Sequence, residues 1–190
     1  DPAIDIGGWR GRVLRVDRAV EDVDCVDVAW DSATLRGMPP VFIAQSIDQG
    51  LDWTEMRLEV GWVEPAEVAD TPQQVKRAVE VLEAQHRWYA VSASRVRALA
   101  QERVYQRGQA YYQDGAVSKL AVEGDGFRAR VQGSSRYRVE IQGTPEVPRL
   151  ACSCPYDHGG ACKHIVAVLL SIRAAGRAMV APDWAGGVVP

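Results

Sequence analysis

The chain is short of several things that commonly announce a function. No apolar run approaches the twenty or so residues needed to span a bilayer. The longest, Ile165 to Ile172, is broken by Ser171. No signal peptide opens the sequence, so a cytoplasmic location is the expectation. There is no Gly-Lys-Ser/Thr phosphate loop, which argues against a nucleotide-driven motor. No Ser/His/Asp set stands out among only 3 histidines, so an enzyme is not expected, and no small-molecule substrate is evident. The acidic run Glu21 to Asp31 lacks the glycine and terminal glutamate of an EF-hand loop. Cysteine is scarce too, with 4 in 190 residues, but three of them fall between positions 152 and 162.

Nearly half the residues are apolar and the charged fraction is ordinary, so a real core can form, and the composition argues against wholesale disorder. The length suits one domain or two small ones, given domains of about 100–150 residues. The net charge of −3 hides an asymmetry. Residues 1–92 carry 17 acids and 9 bases, whereas residues 93–190 carry 8 acids and 13 bases. Such a split suggests two modules with different partners.

Residues 1–70 read as a small β domain. Gly11 to Arg18, Asp24 to Trp30 and Glu55 to Val60 alternate with period two, the mark of half-buried strands. Val26, Val28 and Trp30 fall on one face of the second strand. Pro39-Pro40 starts a short helical turn that Gly50 ends. Gly8-Trp9-Arg10-Gly11-Arg12-Val13 followed by Val26-Asp27-Val28-Ala29-Trp30-Asp31 resembles an SH3- or Tudor-type barrel, and that resemblance implies a curled, barrel-like sheet. Residues 71–91 form a linking helix, with Thr71 as N-cap, Pro72 at the first position and Gln74 completing a capping box.

From residue 92 a helix capped at Ser92 or Ser94 carries the apolar stripe Val96, Leu99, Ala100 and Val104 and runs through Tyr111 and Tyr112 to Gly115. Three strands follow, Val117 to Val122, Phe127 to Val131 and Tyr137 to Ile141, turned at Gly124 and at Gly133-Ser134-Ser135. A last helix, Lys163 to Ala175, is apolar nearly all round and should be buried, with Gly176 as its stop. Residues 179–190 read as a flexible tail. The fold class is therefore α+β. A β-barrel-like domain and a linking helix come first. A helix, an antiparallel meander, a metal-closed finger over residues 92–178 and a buried terminal helix follow.

The finger is Cys152-Ser153-Cys154-Pro155, a loop, and Cys162-Lys163-His164. Structural zinc takes four thiolate or imidazole ligands in a tetrahedron, and Cys152, Cys154, Cys162 and His164 supply three sulfurs and a nitrogen with no open position. Residues i and i+2 on a strand share a face, so Cys152 and Cys154 can reach one ion. Residues i and i+2 on a helix diverge, so Cys162 must lie in the cap ahead of the helix. The helix N-terminus there favours thiolate charge. Three thiolates against one dication leave −1, which Lys163 can offset. His158 is a rival nitrogen ligand, and a Cys152–Cys162 disulfide is the alternative use of the cysteines. Cys25, far away on a strand, reads as a small apolar residue, and His86 as an ordinary packing residue.

Cys-x-Cys followed by Cys-x-His and an apolar helix resembles the SWIM zinc finger. Arg107-Gly108-x-x-Tyr111-x-x-x-Gly115-x-Val117 and Arg136-x-Arg138-Val139-x-Ile141 resemble the flanking elements of its bacterial members. The resemblance covers about residues 92–175. It implies one structural zinc and a role in binding DNA or a protein, without a reaction. Candidate phosphate contacts are Arg103, Arg107, Arg128, Arg130, Arg136, Arg138 and Lys163. The alternative is a protein-interaction adaptor working through the acidic N-terminal segment, with Trp9, Trp30, Tyr89, Asp22, Asp24 and Asp27 as its recognition residues.

Overall fold

The computed structural model describes residues 5–20, 23–67, 70–156 and 158–180. The chain divides into two compact units, Asp1–Glu80 and Val81–Pro190.

In the first unit β1 (Gly11–Val20), β2 (Val23–Trp30) and β3 (Glu55–Glu59) form an antiparallel sheet in the order β1-β2-β3. The alternation does what the pattern requires: Val26, Val28 and Trp30 are buried, and Leu58 of β3 lies opposite Val26. On the other face the register places Arg15 of β1, Asp27 of β2 and Arg57 of β3 side by side, and their ion pairs join with Asp17. The barrel expected from the sequence is corrected here to an open sheet, because three strands cannot close on themselves. The chain between β2 and β3 instead forms two helices, α1 (Ser32–Gly37), which the sequence pattern did not reveal, and α2 (Pro40–Asp48). This stretch adds Leu35, Met38, Ile43 and Ala44 to the buried set. Asp31 caps α1 by accepting from Thr34 N at 2.7 Å. Trp9 joins sheet to α2 through edge contacts with Trp30 at 5.2 Å and Phe42 at 5.8 Å.

Helix α3 (Pro72–Tyr89) opens with the reciprocal capping box read from the sequence: Thr71 N donates to Gln74 Oε1 at 2.8 Å and Gln74 N to Thr71 Oγ1 at 3.3 Å. The division between the units falls within this helix.

The second unit holds a four-stranded antiparallel meander, β4 (Val117–Glu123), β5 (Gly126–Gln132), β6 (Arg136–Gly143) and β7 (Pro148–Cys152). The fourth strand escaped the sequence reading because Pro148 and its short length mask the alternation. Phe127, Ala129, Val131, Val139 and Ile141 face inward against α6 (Lys163–Val180), which contributes Ile165, Val166, Val168, Leu169 and Ile172. Each of the larger side chains among them, fully buried, adds roughly 1.5–3 kcal/mol. α6 continues past Gly176, which is therefore not a stop. A side chain there would strike the backbone of Tyr89, so this glycine permits two helices to touch.

The helix expected from residue 92 to Gly115 is two helices, α4 (Ala93–Ala98) and α5 (Glu102–Gln113). The break frees the Leu99 carbonyl, which accepts from Ala161 N at 2.8 Å instead of continuing the helical ladder. α5 then packs on α6 across Gly108, where a Cβ would lie 2.5 Å from Val166 Cβ.

Candidate metal centre

Cys152 ends β7, Ser153 and Cys154 follow in a turn, and Cys162 immediately precedes α6. The Cys162 carbonyl accepts the first helical bond, from Val166 N at 3.0 Å, so Cys162 sits in the cap region that two-residue chelation demands. The loop between the pairs is anchored rather than free. Gly160 adopts φ +70°, where a Cβ would stand 2.9 Å from the Leu99 carbonyl, and Ala161 bonds to that same carbonyl. The α4–α5 break thus fixes where Cys162 enters the site.

The one potential ligand atom of each of Cys152, Cys154, Cys162 and His164 lies within 4.8 Å of the other three. His164 Nδ1 stands 3.7 Å from Cys152 Sγ and 3.9 Å from Cys162 Sγ. A tetrahedron built with Zn–S of about 2.3 Å and Zn–N of about 2.0–2.1 Å has edges of roughly 3.6–3.8 Å, close to these separations. The four donors are already spaced as ligands of one ion would be, and the donor set is the one zinc prefers. No disulfide joins the cysteines. His158 is exposed and packs its ring edge-on against Tyr156 at 5.3 Å, outside the cluster. Cys25 lies half-buried on β2.

The imidazole is held in place by neighbours the sequence reading did not assign to the site. Tyr137 stacks on it at 4.4 Å and Tyr111 meets it edge-on at 5.3 Å. With Nδ1 turned to the sulfurs, Nε2 points to Gly133 and has no hydrogen-bond partner among the described residues. Tyr111 was visible in the sequence only as part of a motif, and the contact of Gly133 depends on the hairpin fold. Lys163 does not reach toward solvent: its amine donates to Tyr111 Oη at 2.8 Å and lies 4.4 Å from that ring's centroid.

The thiols are electrostatically uneven before any metal binds. The Cys152 thiol donates to Cys162 and holds it as thiolate, lowering its pKa to about 4 against the opposing effect of burial. His164 and the backbone N–H of Ile165 at the start of α6 assist. Cys152 shifts the other way, because it keeps the shared proton and is itself partly desolvated. Metal binding must displace that proton. The sign for Cys162 follows. A folded-state pKa below the ordinary thiol value of 9.0 gives stability that is complete above that value and is lost as pH falls through about 4. Protons compete with the metal for the thiolates, so acid titration of the zinc-loaded chain should release zinc, read with a zinc-sensitive dye. Full retention in strong acid would contradict thiolate coordination.

This arrangement could hold one structural zinc through three sulfurs and a nitrogen, with no open position left for a further ligand. Residues 137–173 match the family model of the SWIM zinc finger, a segment that begins at the tyrosine stacked on His164 and runs into α6. No curated protein and no solved structure matches the chain. Among the described residues no helix is long and apolar enough to cross a membrane.

Proposed function

We propose that Cys152, Cys154, Cys162 and His164 ligate one structural zinc, and that the unit it closes is a non-catalytic module binding duplex DNA through the outer face of the meander. The coarser statement, a zinc-binding module of a kind engaged in DNA or protein interactions, has the family match behind it. DNA as the partner is supported chiefly by one observation: Arg130 of β5 lies directly opposite Arg138 of β6, with Arg136 two residues along the same face. Like charges placed opposite each other in a sheet are destabilising, and a bound phosphate relieves that repulsion.

The acids nearby do not neutralise this end of the sheet. Glu123 pairs with Arg128 at 2.6 Å and Asp125 with Arg149 at 2.9 Å, while Glu140 lies 3.6 Å from Arg128 and 3.9 Å from Arg138. Arg130 and Arg136 have no ion pair among the described residues. Arg103 and Arg107 are exposed on α5, away from the meander in sequence, and Lys163 is engaged with Tyr111. The N-terminal unit offers less for an aromatic-cage reading: Trp30 is 2% exposed and Asp27 is paired with Arg15 at 2.9 Å. Asp22 lies outside the described residues.

Replacing Arg130 and Arg138 together with alanine should weaken binding to duplex DNA in fluorescence anisotropy. It should also flatten the slope of log affinity against log salt by roughly 2, since each phosphate contact contributes about 0.9. The melting temperature should not fall, because both side chains face solvent and their removal relieves a like-charge contact. An unchanged salt slope would show that this face does not contact phosphate.

A further inference from the structure

The meander and the N-terminal sheet have four edges between them, and three are blunted. β4 carries a bulge between Ser118 and Ala121 with Lys119 at φ +51°. β7 starts at Pro148, which has no N–H to offer. β3 has five residues and exposes Glu55, Arg57 and Glu59. Charges, prolines and bulges of this kind discourage strand addition. β1 also carries register shifts after Val13 and after Asp17, but it differs in length and apolar surface: it is 10 residues long, and Val13, Leu14 and Val16 are 50%, 52% and 56% exposed along it.

We infer that β1 is the interface through which two copies of this chain pair, edge to edge and antiparallel. The strand is complementary to itself. With the two-fold axis between Leu14 and Arg15, Arg12 faces Asp17 of the second copy and Val13 faces Val16 of the second copy, each twice. The sides of the sheet agree with this register. Val13 and Val16 lie opposite the buried Val28 and Val26 of β2, so both stand on the core side. Arg12 and Asp17 lie opposite Ala29 and Cys25, so both stand on the other side. The bulge at Leu14, which has no partner on β2, would bar a regular strand. In the symmetric pair Leu14 faces Arg15 of the second copy, each copy carries the same extra residue beside the axis, and the ladders on either side stay in step. Two oppositely charged pairs and two valine pairs then cover the apolar part of the edge. This pairing needs neither zinc nor DNA.

Light scattering on the full-length chain should give a dimer mass that falls toward the monomer on dilution. Val16→Lys should give a monomer at all concentrations. Arg12→Asp places a carboxylate against Asp17 of the second copy, and Asp17→Lys places an amine against Arg12, so each variant alone should be monomeric. Mixed one to one, the two variants restore both charge pairs and should recover the dimer, a result that misfolding cannot produce. Unchanged circular dichroism and zinc content confirm that the variants are folded. A parent that is monomeric at every concentration, a dimer that survives Val16→Lys, or a mixture that stays monomeric would each overturn the inference.

Discussion

Cys154→Ala should strip the zinc and unfold the Val81–Pro190 unit. Structural zinc contributes on the order of 10 kcal/mol of binding free energy, which is also folding free energy. Whole domains are stable by only about 5–15 kcal/mol. The loss falls where the fold can least absorb it. Cys162 and His164 fix the first turn of α6, and α6 supplies a large share of the unit's apolar core. Without the ion, three buried or half-buried donors remain, with Cys162 biased toward a thiolate that has lost its cation. Thermal melting followed by circular dichroism, with zinc content measured on the same sample, checks this. A variant that melts like the parent would mean that the metal is not structural.

Trp88→Ala should be the most damaging change away from the metal, at about 3–5 kcal/mol. Its indole is fully buried in the core of the second unit, and Nε1 donates to the Gly143 carbonyl at 2.8 Å. The bond ties the end of α3 to the end of β6, while the ring fills the space between helix and sheet. Trp88→Phe separates the two contributions. It keeps most of the apolar contact but strands the Gly143 carbonyl, at a cost of roughly 1–3 kcal/mol. Chemical denaturation of both variants should place them in that order. Equal losses would mean that the ring's apolar contact contributes little, and a Trp88→Phe variant as stable as the parent would mean that the hydrogen bond contributes little.

What could be read from the residues was what depends on neighbours in sequence. Period-two alternation located β1, β2 and β3, and the Thr71–Gln74 box located the start of α3 to the residue. The clustering of Cys152, Cys154, Cys162 and His164 was legible because a strand and a helix cap each impose their own spacing on two residues. What was missed depends on contacts distant in sequence. Nothing local indicates that Leu99 gives its carbonyl to Ala161, which is why α4 and α5 looked like one helix. Gly176 has the appearance of a helix stop until Tyr89 is seen against it. The N-terminal strands were found, but whether three strands close or remain open is decided by what the intervening chain does, and there it forms helices. Tyr137 looked like an ordinary strand residue. Its place beside His164 follows from the β5–β6 hairpin and the start of α6 meeting at the metal site.

X-ray absorption at the zinc edge on the reduced full-length chain tests the central claim most directly. One zinc per chain is expected, with three sulfur neighbours at about 2.3 Å and one nitrogen at about 2.0 Å. A folded chain without zinc, or a coordination shell with fewer than three sulfurs, would contradict it.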